Sequence, residues 1–195
     1  MGEFEPTAAD GGVDETVVYL AASDDDQMEC AARLRGEVEG ENRRLLVFSA
    51  LDDVHDLDEI WDRYVGEDLA PEAVAIVEAT PGGTDVEQLT SESGTPIHVL
   101  GVDPSDLTGI AIAVTRVTKE WEGHPISVCF RDVDVLLRYH DDDTVFKFLN
   151  SALASLDGTG ARVHAHLRPQ LMESRQAHAI ASLFDRVEGD ESLLE

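Results

Sequence analysis

Acidic side chains gather in the turn after the first predicted strand. The apolar run TVVYL at 16–20 is typical of a buried parallel strand, and AASDDD at 21–26 follows it. Carboxylates at this position can bind a divalent cation, because ligands of α/β proteins bind at the carboxyl edge of the sheet. Ser23, Asp24 and Asp25 are therefore candidate ligand-binding residues, and the two aspartates are candidate metal ligands. Alternatively, these side chains cap the next helix, whose first N–H groups need acceptors.

The same turn lacks the groups that bind phosphate in α/β proteins. A glycine-rich loop and a lysine, in the pattern GxxxxGK followed by Ser or Thr, usually hold phosphate at this position. Residues 21–28 do not contain the pattern, and neither of the chain's lysines, Lys119 and Lys147, follows a glycine loop. Three adjacent carboxylates also repel phosphate. We therefore expect neither ATP hydrolysis nor a bound cofactor.

A second charged group follows the apolar strand ISVCF at 126–130. Arg131, Asp132 and Asp134 stand there, again at the carboxyl end of a predicted strand. One interpretation makes these candidate ligand-binding residues, with Asp132 or Asp134 as a metal ligand. The other is an ion pair between Arg131 and the neighbouring aspartates, which makes the group structural.

Two histidines alternate on the predicted strand ARVHAHL at 161–167. Because strand residues alternate between faces, His164 and His166 share one face and can chelate zinc or nickel if a carboxylate or a third histidine joins them. The other interpretation is that they hydrogen-bond to a helix or fill an edge position. Arg162 and Arg168 flank this strand and could accept an anion. The histidines available as a third ligand are His98, His140 and His178.

The two cysteines give no sign of chemistry by themselves. Cys30 and Cys129 are far apart in the chain and form no CxxC motif. Cys30 lies on a predicted helix and Cys129 lies within an apolar strand, so both are expected to be buried free thiols. Neither has the sequence context of a catalytic nucleophile.

The charge balance is extreme, with 41 Asp and Glu against 14 Lys and Arg and a formal net charge of −27. So few basic residues exclude a broad nucleic-acid surface, and the same field repels anionic membranes. The acidity is spread through every predicted element, which indicates adaptation to a salt-rich cytoplasm, since the Debye length falls to about 3 Å at 1 M salt. No apolar run reaches the ~18 residues of a membrane span, and the N-terminus does not resemble a signal peptide.

Strands and helices alternate along the chain, which predicts an α/β protein: a three-layer α/β/α sandwich with a mostly parallel sheet. We expect a disordered acidic leader at 1–15, one domain at 16–187 and an acidic tail at 188–195, with a polar loop at 80–95. The predicted strands are 16–20, 45–49, 73–77, 97–100, 126–130 and 161–167. The predicted helices carry apolar faces at 28–34, 57–64, 107–121, 145–156 and 177–184.

The stretch ISVCFRDVDVLLRY at 126–139 resembles a motif of RecA/KaiC-like P-loop ATPases. In that motif a hydrophobic strand ends in a magnesium-directing Asp, followed by Ser, a few residues and a Leu-Leu pair. The chain is more closely similar to a haloarchaeal family of degenerate RecA/KaiC-like proteins that lack the Walker motifs, and the similarity covers roughly residues 16–187. Arg131 stands where the magnesium-directing Asp would fall. The resemblance implies the fold, and the departures argue against ATP hydrolysis.

These observations lead to three functional hypotheses. The first is a cytoplasmic, non-catalytic regulatory or protein-interaction module of a halophilic archaeon, which acts through a protein partner or self-association. The second is a metal-dependent hydrolase with one or two cations held by the acidic residues of both charged groups: Asp24, Asp25, Asp132 and Asp134. The third is a nucleotide-binding pseudo-ATPase, in which backbone groups and Arg131 replace the lysine. We prefer the first, because the lost motifs point away from catalysis.

Overall fold

The computed structural model describes residues 15–20, 43–50, 71–83, 86–91 and 94–194. Among the helices in these ranges, none is both long enough and apolar enough to cross a membrane. The strands are β1 (Thr16–Leu20), β2 (Arg44–Ser49), β3 (Ala73–Ala79), β4 (Val86–Thr90), β5 (Pro96–Val102), β6 (Ile126–Phe130), β7 (Arg162–Leu167) and β8 (Arg186–Gly189). The α-helices are α1 (Leu107–Glu120), α2 (Val133–Leu136), α3 (Asp142–Leu156) and α4 (Ser174–Ala181), and short 3-10 helices span Pro169–Leu171 and Glu191–Leu194.

All of these strands form one sheet in the order β4-β5-β3-β2-β6-β7-β1-β8. Neighbouring strands run parallel, except that β4 runs antiparallel to β5. The central strands β2, β3 and β6 are apolar runs without alternation, as expected for parallel strands that are buried on both faces. The prediction of an α/β protein with a mostly parallel sheet is confirmed.

One face of the sheet carries the main hydrophobic core. Buried residues recur at three- and four-residue spacing along α1 and α3, which places them on one side of each helix. They join Phe48 and Phe130 of the sheet in one cluster. The opposite face carries a smaller cluster, around Leu45 and Val47, that also contains Cys129. Burial of each large apolar side chain contributes about 1.5–3 kcal/mol to stability.

The stretch 80–95 is not the uninterrupted polar loop that the sequence predicts, because β4 forms within it. β4 pairs with β5 along its whole length at one edge of the sheet. Four of its five residues are exposed, so it shows neither an apolar run nor the alternation by which half-buried strands are recognised. β4 is held by backbone hydrogen bonds to β5, and such bonds depend little on the pattern of side chains in the sequence.

Three neighbouring strands end at the same edge of the sheet and position the candidate site. β2, β6 and β7 lie side by side and run parallel, so the residues that end or follow them come together. α2 begins directly after β6, with Asp132 as its N-cap residue. After β7 the chain turns through the 3-10 helix that starts at Pro169.

Candidate functional site

Four polar side chains meet at this carboxyl edge, and we call them the edge cluster: Ser49, Asp132, Asp134 and Arg168. Ser49 ends β2, the two aspartates follow β6, and Arg168 follows β7 directly. Residues distant in the sequence meet here because the three strands are parallel neighbours. The aspartate side chains are 2% exposed and the arginine side chain is 17% exposed.

The Arg168 guanidinium binds both carboxylates of the edge cluster. Its Nη2 donates to Asp134 Oδ1 at 2.9 Å and to Oδ2 at 3.0 Å, and its Nε donates to Asp134 Oδ1 at 3.2 Å. The same Nη2 donates to Asp132 Oδ1 at 3.1 Å. Charge-assisted hydrogen bonds of this kind are stronger than neutral ones, and the planar guanidinium suits carboxylates well. A cation from the chain itself therefore sits between the two aspartates.

The second oxygen of Asp132 is engaged as well. Ser49 Oγ donates to Oδ2 at 3.1 Å, and the backbone N–H of Ala50 donates to the same atom at 3.1 Å. The backbone N–H of Arg131 donates to the Phe48 carbonyl oxygen at 3.0 Å, so β2 and β6 stay paired up to this point. Asp132 thus connects the ends of three strands. A metal ion would have to displace these donors before it could bind.

Burial raises the pKa of Asp134 above its ordinary value, because a buried carboxylate loses the solvation of its charge. The hydrogen bonds and the charge of Arg168 lower the pKa, and the negative charge of Asp132 raises it further. The net result is a raised pKa. The site therefore favours the neutral form of Asp134 more than water does, whereas a magnesium ligand has to be ionised.

The ion pair predicted between Arg131 and the adjacent aspartates does not form, and Arg168 takes its place. The Asp132 carboxylate is engaged instead by Arg168, by the Ser49 hydroxyl and by the Ala50 N–H. Arg168 arrives from the neighbouring strand instead, and its guanidinium binds carboxylates of the chain rather than the anion that the sequence suggests. Arg131 is 3% exposed, and within the described residues no hydrogen bond or ion pair engages its guanidinium.

The other part of the predicted edge site lies outside the described residues. Ser23, Asp24 and Asp25 belong to the turn after β1, which the structure describes up to Leu20. β7 lies between β1 and β6, and two strand spacings separate the ends of β1 and β6 by about 10 Å. Convergence of the two acidic groups, on which the hydrolase hypothesis depends, stays a prediction.

Three potential metal ligands lie together on the sheet face opposite the main core, and we call them the histidine–cysteine cluster: Cys129, His164 and His166. The two histidines share one face of β7, as the sequence predicts, and Cys129 on β6 is the register partner of His164. One donor atom from each side chain lies within 4.8 Å of the others, and all three residues are buried. Cys129 is buried and forms no disulfide bond with a described residue.

Tyr19 of β1 packs against both imidazole rings. Its ring centroid lies 5.8 Å from that of His164 and 5.7 Å from that of His166. The two imidazoles contact each other edge to face, with centroids 5.3 Å apart and an angle of 80° between the rings. β7 is an internal strand with β6 on one side and β1 on the other, so the interpretation that the histidines fill an edge position is wrong.

The third member of the cluster is a cysteine and not one of the histidines suggested by the sequence. His98 lies on β5, four strands away from β7. His140 Nε2 lies 3.0 Å from the Pro104 carbonyl oxygen, and His178 Nδ1 lies 2.9 Å from that of Ser174. The sequence could have suggested Cys129 as the third ligand, because a cysteine and two histidines on consecutive predicted strands come within reach of one another if those strands pair.

The fold and the edge cluster define a class of protein: an α/β domain in which carboxylates and an arginine of the chain occupy the carboxyl edge of the sheet, where α/β proteins usually bind ligands. The chain belongs to the Family of unknown function (DUF7504), which matches it over residues 16–187. No curated protein is significantly similar to it. Among solved structures, a protein of Pyrococcus horikoshii OT3 from a structural study of project PH0250 is similar, with 13% identity and a TM-score of 0.59, over 91% of this chain and 82% of that chain. At this identity the likeness shows the fold alone.

Proposed function

We propose that the protein is a non-catalytic regulatory or protein-interaction module of a halophilic archaeon, built on a degenerate RecA/KaiC-like fold. The sequence resemblance at 126–139 supports this fold, and the parallel sheet with its helix-covered core face is compatible with a three-layer α/β/α sandwich. The acidic turn at 21–26 lacks the glycines and the lysine that bind phosphate. The edge after β6 is another place where phosphate chemistry would be expected.

The main support for a non-catalytic role is the bonding of the two carboxylates after β6, those of Asp132 and Asp134. Donors of the chain itself bind Asp132 and Asp134, and Arg168 supplies the positive charge between them. A metal-dependent hydrolase needs carboxylate oxygens that face a cation with an open coordination position. Phosphoryl transfer needs the metal, the lysine and the phosphate loop to stabilise its transition state. We infer that the edge cluster holds three strand ends together and takes no part in a reaction.

The exposed edge strand β4 is the surface that we propose for protein contacts. Edge strands present unpaired backbone groups to a second strand, and charged residues usually protect them. β4 carries a single charged side chain, Glu87, and exposes 65% of Val86. Two copies can pair β4 with β4 around a two-fold axis, which extends the sheet. High salt screens the repulsion between two chains that each carry a formal charge of −27.

Light scattering of the full chain in molar KCl tests this surface. We expect the wild-type protein to have the mass of a dimer, and Val86→Lys to shift the mass to that of a monomer. Ile112→Lys is the matched control, because Ile112 is also exposed, at 63%, but lies on α1. A wild-type protein that is strictly monomeric and enriches no partner from a haloarchaeal extract contradicts the proposal.

Arg131 favours a second candidate function, a nucleotide-binding pseudo-ATPase. Its side chain is buried at the end of β6, where ligands of parallel sheets bind, and no described residue forms an ion pair with it. The planar guanidinium recognises phosphate well. A bound phosphate group would pair with it without restoring hydrolysis.

Isothermal titration with ATP and Mg²⁺ in molar KCl tests this candidate. Binding is expected in the wild-type protein and in Arg138→Met, an exposed arginine of the same region, but not in Arg131→Met. Absence of heat at millimolar nucleotide rejects the second candidate and leaves the first in place.

A further inference from the structure

We propose that the histidine–cysteine cluster is a zinc site, in which the Cys129 thiolate and the imidazoles of His164 and His166 bind one Zn²⁺. Thiolate and imidazole are the common protein ligands of zinc. The inference goes beyond the proposed function and does not depend on it, because the cluster lies on a face of the sheet and the edge cluster lies at the strand ends.

The backbone places the three ligands at the corners of a small triangle. Cys129 stands beside His164 across the β6–β7 pair, and His166 stands two residues further along β7 on the same face. Both distances are fixed by the hydrogen-bonded sheet, at about 4.8 Å across strands and about 6.6 Å along one strand. Ligands on strands are held more accurately than ligands on loops, so little reorganisation is needed when an ion binds.

The donor atoms are close to the separation that a zinc ion requires. They lie within 4.8 Å of one another. In a tetrahedral site, Zn–S distances of about 2.3 Å and Zn–N distances of about 2.0–2.1 Å put the ligand atoms about 3.3–3.6 Å apart. Rotation of the three side chains closes a gap of this size, so the strands can stay where they are.

The burial of the cluster and the type of its donor atoms favour zinc over hard cations. The three side chains are at most 1% exposed, whereas histidine is only intermediate in its tendency to be buried. Among the described residues, no carboxylate belongs to the group, so hard cations such as Mg²⁺ and Ca²⁺ find no suitable ligands there. When zinc binds, the Cys129 thiol releases its proton to solvent and the thiolate offsets one of the two positive charges.

Three protein ligands fill three of the four positions of a tetrahedral zinc ion. Tyr19 packs beside the site, with its ring centroid 5.8 Å from that of His164 and 5.7 Å from that of His166. Because the site is closed to solvent, the ion has to enter as the chain folds, and its binding free energy adds to the stability of the fold. The zinc ion would tie β6 to β7 on the face opposite the main core.

Cobalt(II) substitution in a Cys30→Ser protein tests the site, because Cys129 is then the sole cysteine. The full chain is refolded in molar KCl with Zn²⁺ or Co²⁺, and excess metal is removed before measurement. We expect about one retained ion per chain, the d–d absorption of tetrahedral cobalt and a sulfur-to-cobalt charge-transfer band. The charge-transfer band can arise only if Cys129 is a ligand.

Substitution of each ligand should abolish these signals. Cys129→Ser is expected to lose the charge-transfer band, and His164→Asn and His166→Asn to lose the tetrahedral d–d bands. Zinc affinity should fall by at least about a hundredfold, because even outer-shell partners of a zinc site are worth about 10–100-fold. His140→Asn and His178→Asn are matched controls that should retain the ion.

Circular dichroism in molar KCl identifies the variants that fold. If the ligand variants do not fold, the cobalt absorption spectrum of the Cys30→Ser protein alone tests whether the site binds metal. A Cys30→Ser protein that folds but retains no zinc and shows no charge-transfer band overturns the proposal. A folded Cys129→Ser protein that binds cobalt with an unchanged spectrum overturns it as well.

Discussion

The edge cluster and the histidine–cysteine cluster draw on the same two strands, β6 and β7, and differ in what balances their buried polar groups. In the edge cluster, two carboxylates share the single positive charge of Arg168. In the histidine–cysteine cluster, a thiol and two imidazoles each place one potential ligand atom within 4.8 Å of the others. One sheet can therefore bury polar groups in two ways: around an arginine of the chain itself or, as we propose, around an added zinc ion.

Removal of the Arg168 guanidinium should have the largest effect on stability. Arg168→Met leaves the buried carboxylates of Asp132 and Asp134 next to each other without a counter-charge, and breaking a buried pair of this kind costs about 3–5 kcal/mol. Urea denaturation in molar KCl measures the loss. Arg175→Met is the control, because this arginine is 87% exposed and pairs with Asp142 at 3.8 Å, so its loss should cost about 0–1 kcal/mol. Equal effects of the two substitutions would show that the edge cluster is not held by Arg168.

The loss of unfolding free energy caused by Arg168→Met should become smaller as the pH falls. Asp134 already has a raised pKa in the folded protein, and loss of Arg168 removes the two largest causes that lower it. Between the ordinary carboxyl pKa and the raised one, the folded state binds more protons than the unfolded state, so acidification favours folding through this group. The difference in unfolding free energy between variant and wild type is therefore expected to be smaller at pH 5 than at pH 7. A difference that grows on acidification contradicts this assignment.

Removal of zinc is the corresponding change in the other cluster. If the free ion stands at about 100 times its dissociation constant, its removal lowers the free energy of unfolding by about 2.7 kcal/mol. Denaturation with and without a chelator measures this in the wild-type protein, and Cys129→Ser should show no dependence on zinc. Arg168→Met, provided that it folds, should keep the zinc dependence, because the two clusters are separate.

The two aspartates should differ from each other by a smaller amount. Asp132→Asn removes a carboxylate whose two oxygens accept bonds from Arg168, Ser49 and the Ala50 backbone, whereas Asp134→Asn removes a charge that burial already disfavours. We expect Asp132→Asn to be the more destabilising by about 1 kcal/mol, the net worth of a typical hydrogen bond. Midpoints of urea denaturation at pH 7 compare the variants, and the opposite order would contradict this account of the edge cluster.

The sequence predicts the central sheet well because burial on both faces leaves a simple pattern. The apolar runs at 16–20 and 126–130 mark β1 and β6 without ambiguity. β4 is missed because an exposed edge strand is specified by backbone pairing, which side chains barely record. The alternation on β7 correctly places both histidines on one face.

The contacts between strands could not be predicted, because they depend on strand order. Arg168 meets Asp132 only because β7 lies next to β6, and Cys129 meets His164 for the same reason. If β1 lay between β6 and β7, each of these pairs would be separated by about 10 Å. No local pattern in the residues fixes that order, so the sequence suggests Arg131 as the partner of the aspartates and histidines as the third metal ligand.

A Mn²⁺ titration followed by electron paramagnetic resonance tests most directly whether the edge carboxylates are closed to cations. The wild-type and Asp132→Asn proteins are compared in molar KCl, where weak binding to the acidic surface is screened. We predict the same weak, non-stoichiometric binding in both proteins, because Arg168 already occupies the carboxylates. A tightly bound Mn²⁺ ion in the wild-type protein that disappears in Asp132→Asn would contradict this and restore the metal-dependent hydrolase.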